Sequence, residues 1–323
     1  MVTKGLVHGY LLDGQGSAKR LSYAELEGLS LKDEQSLWLH WSLSDSHTSR
    51  WLYNDSGLSH FICERLLEEN TRPRLVPLVN DALLVFLRGV NLNPGQTIED
   101  MVSIRVYADA KKLISLRLRS ANVAQTLIEQ FEQGAGPKTI SELLLALSCS
   151  LTDHVDSSLD ELNDALDQAE EVSQESGTVS HIRIADLRRR AAGLRRFLAP
   201  LRDVYAQLSK PSFSWLTAEH LYWSELNNRL VRHLEDLELI RERAVMLVEV
   251  ERSRSTERMN KLLYRFSIIT VLFLPMSFLT GLLGINVGGI PLSNSPWGFM
   301  VACAVLLAVT IFQLILYRKI GWL

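Results

Sequence analysis

The sequence predicts an α+β domain, a mixed sheet flanked by helices, whose last helix continues as a very long stalk into a two-helix transmembrane hairpin. Three observations predict it. Short strand-like runs separated by turn signals occupy residues 1–120, and long helical stretches come after them. Charged side chains, dense over residues 1–261, then vanish over most of 266–317.

The strand runs are YLLDGQG, SLWLHW, ALLVFLRGV, MVSIRVYAD and KKLISLRLR, with turns marked by Asp13-Gly14 and Asn93-Pro94-Gly95. Helical pattern begins near Asn122 and breaks at Gly134-Ala135-Gly136-Pro137. A long helix is expected from about Thr139 to Val172, and after Gly177 an arginine-rich one from His181 to Leu208. No internal repeat is visible. From Thr217, read as an N-cap, to Gly284 only Pro275 interrupts a helix, a rod of about 100 Å. Its first part carries apolar residues at heptad spacing (Trp223, Leu230, Leu237 and Ala244, with Leu226, Ile240 and Leu247 between them), a seam suited to neighbouring helices.

Phe266–Ile285 and Trp297–Tyr317 are uncharged runs long enough to cross the roughly 30 Å of a bilayer core. Arg254, Arg258, Lys261 and Arg265 precede the first run, Arg318 and Lys319 follow the second, and the connecting loop has no charge. Positive flanks stay inside, so both termini are expected in the cytoplasm of a multi-pass bacterial inner-membrane protein. The start lacks a basic segment followed by an apolar one, which gives no signal peptide. The expected division is 1–137, an N-terminal α/β domain; 138–265, the long-helix stalk; and 266–323, the membrane domain. Within the last, the spans are about 266–285 and 297–317, the outer loop 286–296 and the basic tail 318–323.

A net charge of −3 leaves no surplus for nucleic acid. Cys63, Cys149 and Cys303 are scattered, which argues against thiolate zinc and a disulfide framework. No nucleophile–base pair, phosphate loop or metal-hydrolase spacing points to an enzyme or a cofactor. Two spans cannot enclose a hydrated path, so transport requires several copies around an axis. Alternating steps of three and four residues from Ser253 give Thr256, Asn260, Leu263, Ser267, Thr270, Leu274, Ser277, Gly281 and Gly284 on one uncharged face. That face is expected to line a pore, with Val271, Phe278 and Leu282 on the other side. The plainer alternative is that its hydroxyls bond their own helix and its small residues allow close packing.

This order of parts, with Gly284-Ile285-Asn286 at the outer end of the first span and a terminal Trp322-Leu323, resembles the CorA family of divalent-metal transporters over essentially the whole chain. The family triad is Gly-Met-Asn; here isoleucine stands at its centre. The continuation Val287-Gly288-Gly289-Ile290-Pro291, with TRPR (71–74), RDVYA (202–206) and FLTGLLG (278–284), resembles the zinc-transporting ZntB branch. The resemblance implies a funnel-shaped homopentamer with first spans around the pore, moving Zn²⁺ through the inner membrane with coupling to protons. Alternatives are a magnesium or broad divalent channel of the same type, or a membrane-anchored oligomeric scaffold or sensor. Asn286, neutral and bearing both donor and acceptor, could hold the water shell of a dication without stripping it. Eight histidines lie outside the spans without metal-site spacing. His233 on the stalk, with Glu225, Asp236 and Glu249, forms the candidate set for a cytoplasmic metal.

Overall fold

The computed structural model describes residues 5–69, 71–89, 102–118, 123–176, 181–285, 290 and 295–321. The chain divides into two compact units, Met1–Val248 and Glu249–Leu323, and the division falls within a single helix.

The first unit is built on a seven-stranded sheet: β1 (Leu6–Leu12), β2 (Ala18–Arg20), β3 (Ser36–Ser42), β4 (Arg74–Pro77), β5 (Leu83–Gly89), β6 (Val102–Ala108) and β7 (Lys112–Arg117). The order is β2-β1-β3-β7-β6-β5-β4. β3 and β7 pair in parallel and every other pair is antiparallel, so the sheet is mixed. Both faces are covered, which explains the near-continuous apolar strands rather than alternating ones. Leu83, Val85 and Leu87 of β5 pack toward α3 (Val123–Glu132), α4 (Ile140–Ser176) and α5 (His181–Leu208). Leu84 and Phe86 point the other way, toward α1 (Ser46–Asn54) and α2 (His60–Leu67).

Sequence reading missed α1, α2, β2 and β4, because two turns of helix or three to four strand residues show no usable periodicity. Asp45 nevertheless caps α1 by accepting the His47 N–H at 2.9 Å. Thr139 caps α4 in the same way, through Glu142 N–H at 3.1 Å, while the Glu142 carboxylate accepts the Lys138 N–H at 2.7 Å. α4 runs four residues past Val172, and α5 has the expected limits. The Asn93-Pro94-Gly95 turn lies outside the described residues.

α6 spans His220–Leu283 without a break. Its start corrects one expectation. Thr217 is not the N-cap: it sits inside a 3-10 turn, Ser214–Glu219, where its hydroxyl donates to the Phe213 carbonyl at 3.2 Å. The tip of the β4–β5 hairpin holds that turn instead. Asp81 accepts the Ser214 N–H at 3.0 Å, and its carbonyl accepts Trp215 Nε1–H at 2.7 Å. The heptad seam packs within the same chain: Trp223, Leu226, Leu230, Leu237, Ile240, Ala244 and Leu247 are buried in the core they share with α4 and α5.

Candidate permeation face and the ion pairs of the stalk

In the second unit, the last part of α6 is joined by α7 (Gly298–Ile320). Both helices are long and apolar enough to cross a membrane. One side of α6 is half-buried: Ile268, Val271, Leu272, Pro275, Met276 and Leu279. Thr310 Oγ1 of α7 lies 3.5 Å from Met276 Sδ, which identifies this as the α7 side. Ser267, Thr270, Leu274, Ser277 and Gly281 are exposed, Leu274 at 67%. At about 100° per residue the two sets lie roughly half a turn apart. Asn260 and Leu263 are exposed further back along α6. Of the residues expected away from the stripe, Val271 and Leu282 lie on the α7 side by helix angle, Leu282 exposed near the helix end, whereas Phe278 is exposed on the flank between the two faces.

The stripe is chemically mild. Thr270 donates its hydroxyl to the Phe266 carbonyl at 2.9 Å, which uses its proton within the helix and leaves oxygen lone pairs outward. A Cβ at Gly281 would meet nothing within 4 Å in the single chain. Gly284 closes the helix, its N–H donating to the carbonyls of Thr280 (3.0 Å) and Gly281 (3.2 Å). Ile285 is half exposed. Asn286, the last member of the triad, lies outside the described residues.

The stalk candidates do not converge. His233 is 4% exposed, turned into the α4–α6 seam rather than outward, and its Nε2 lies 2.6 Å from Asp156 Oδ1. Burial pulls the His233 pKa down, although Asp156 opposes this. Arg229 binds both Asp153, at 2.6 Å, and Asp156. Burial alone would raise the Asp156 pKa, but the Arg229 guanidinium and His233 bring it below its ordinary value. A second clamp repeats the pattern: Arg243 reaches Asp167 at 2.6 Å and Glu170 at 2.8 Å. Glu225 is exposed and paired with Arg232 at 3.1 Å, while Asp236 and Glu249 are exposed. Among the described residues, no group of three or more His, Cys, Asp or Glu is placed to hold a metal. His233 is held apart from Glu225, Asp236 and Glu249 by its contact with α4, where its Nε2 is engaged with Asp156 of the same chain.

The architecture is a mixed-sheet unit followed by a long helix and an apolar hairpin with an uncharged polar stripe. The family described as CorA-like Mg²⁺ transporter protein matches residues 33–319, and the chain belongs to that family of divalent cation transporters. It is 51% identical to the divalent cation transporter CmaX of Pseudomonas aeruginosa over 323 residues, 99% of this chain and 97% of the relative. It is 31% identical to the zinc transport protein ZntB of Pectobacterium carotovorum over 303 residues, 94% and 91% of the two chains. The solved structure of full-length CmaX superposes with a TM-score of 0.88 at 50% identity, covering 100% of this chain and 99% of that one.

Proposed function

We propose that five copies of the chain surround a common axis with the Ser267–Gly281 stripe facing inward, and that they carry Zn²⁺ into the cell. The observation that carries this reading is the placement of the stripe on the free side of α6, opposite α7. A polar face turned away from its own hairpin partner in hydrocarbon seeks either polar helices or water, and several copies supply both. Gly284, Ile285 and Asn286 then stand at the outer mouth, where a ring of neutral Asn286 dipoles holds a hydrated dication loosely enough to release it. Asn260, Leu263, Ser267, Thr270, Leu274, Ser277 and Gly281 line the way inward. The basic flanks on both spans support an inner-membrane protein with cytoplasmic termini.

Zinc as the cargo is supported by the likeness to ZntB proteins at about 31% identity and by the Gly-Ile-Asn-Val-Gly-Gly-Ile-Pro run. Uptake coupled to the proton gradient belongs to the same reading. A broader divalent selectivity is the second reading, favoured by the 51% identical relative named only as a divalent cation transporter. Flux into liposomes holding the full-length protein separates them. Zinc uptake should resist excess Mg²⁺ and accelerate under an inward proton gradient; equal competition favours the second reading, and indifference to the gradient removes coupling. Replacing Ser267, Thr270 and Ser277 together by leucine should lower flux at least about tenfold through the lost polar lining. Undiminished flux in that variant, or in Asn286→Ala, would remove the stripe or the triad from the path.

A further inference from the structure

The apolar hairpin buries one polar side chain more deeply than any other residue of α7. Gln313 is 6% exposed, and its Oε1 has no hydrogen-bond partner. An unpartnered amide in hydrocarbon is costly. It lies on the covered side of α7 with Ala302, Leu306 and Thr310. The contact between Thr310 and Met276 sets the antiparallel register. Three residues forward along α7 correspond to three residues back along α6, which places Gln313 level with Leu272 and Phe273.

Pro275 contributes the other half. It lies inside α6 and has no N–H, so the Val271 carbonyl loses its intrahelical donor. A helical carbonyl points toward the C-terminus, and this oxygen sits about one to two residues beyond its own Cα. That is again the level of 272 and 273. Val271 and Pro275 both belong to the half-buried side of α6, and the other side chains there, Ile268, Leu272, Met276 and Leu279, carry no N–H or O–H.

We propose that Gln313 is a positioning residue for the permeation helix: its side-chain amide donates an N–H to the Val271 carbonyl that Pro275 leaves without a partner. A half-turn about the last side-chain torsion, a soft two-fold rotor, exchanges Oε1 for Nε2 and presents the donor where only an acceptor awaits it. α7 thereby completes the interrupted turn of α6. It braces the Pro275 turn between Ser267–Thr270 and Ser277–Gly281, the two halves of the exposed stripe. The functional part of this inference rests on the reading of α6 as the permeation helix.

The test is a double-mutant cycle on the full-length protein in liposomes, with Zn²⁺ and Mg²⁺ flux measured separately. Gln313→Leu should lower flux about three- to tenfold when Pro275 is present, the range of one interhelical hydrogen bond. It should have no further effect in Pro275→Ala, where the restored backbone N–H serves Val271. An isotope-edited infrared band for the Val271 carbonyl provides a readout independent of transport: Gln313→Leu should move it to higher frequency. An unmoved band, or an equal loss of flux in both backgrounds, overturns the hydrogen bond. A moved band with unaltered flux of both ions overturns the positioning role and counts against α6 as the permeation helix.

Discussion

Acidification from about pH 7.5 to about pH 5 should destabilise the sheet unit through His40, by an amount the buried hydrogen bonds allow to be worked out. Trp38 Nε1 can only donate, and it does so to Ser115 Oγ at 2.9 Å. Ser115 Oγ also lies 2.8 Å from His40 Nδ1 and donates to the Leu39 carbonyl at 3.4 Å. His40, fully enclosed, is held neutral. Burial, the nearby Arg117 and the stacked His8, with ring centroids 6.0 Å apart, bring its pKa from 6.5 to about 3. A pKa lowered in the folded state means that the unfolded chain binds the extra proton first. The stabilisation is complete above the unfolded value of 6.5 and is lost as pH falls toward 3. At about pH 5 the loss from this one group is about 2 kcal/mol, or roughly 3–6 °C in Tm for a chain of this size. The assay is thermal unfolding of the detergent-solubilised protein at the two pH values, beside His40→Gln, which keeps an acceptor for Ser115 but does not titrate. Wild type should lose about 2 kcal/mol more than the variant. Equal losses would refute the assignment of a neutral, buried imidazole.

Arg105, 2% exposed, donates Nη1–H to the Leu66 carbonyl at 2.8 Å and Nη2–H to the Glu69 carbonyl at 3.3 Å; Arg105→Met should cost about 2–3 kcal/mol in thermal or denaturant unfolding by stranding those carbonyls at the end of α2. At Gly136 a Cβ would come within 2.4 Å of Phe131 Cδ1, a ring that packs on Tyr10 and Trp38. Gly136→Ala should therefore destabilise by about 1–3 kcal/mol, and a neutral result would mean that the Phe131 ring can move aside freely. Gly281→Ala has open space in the single chain; with copies converging on this face as proposed, divalent flux should drop, and unaltered flux would place the axis elsewhere.

The membrane hairpin and the long helices were legible because their signals are long: uncharged runs of about twenty residues and extended 3.6-residue periodicity survive without tertiary context. The mixed sheet was legible in its five longer strands. α1 and α2 were not, since their helicity comes from Asp45 and from packing on Trp41, Phe86 and Leu116, contacts remote in sequence. Thr217 misled for a related reason. Its residue type suits a cap, but Asp81, more than 130 residues earlier, takes over the end of the 3-10 turn.

Sequence alone determined which residues share a face, because helix geometry is local: Ser267, Thr270, Ser277 and Gly281 line up whatever surrounds them. Only the tertiary structure decided what each face meets. α7 covers the Val271–Met276 side and leaves the hydroxyl stripe free, while α4 engages His233 through Asp156. Periodicity carries the direction of a side chain relative to its own axis, but the partner across the gap is chosen by how distant segments fold back, and that choice depends on packing and desolvation summed over the whole chain.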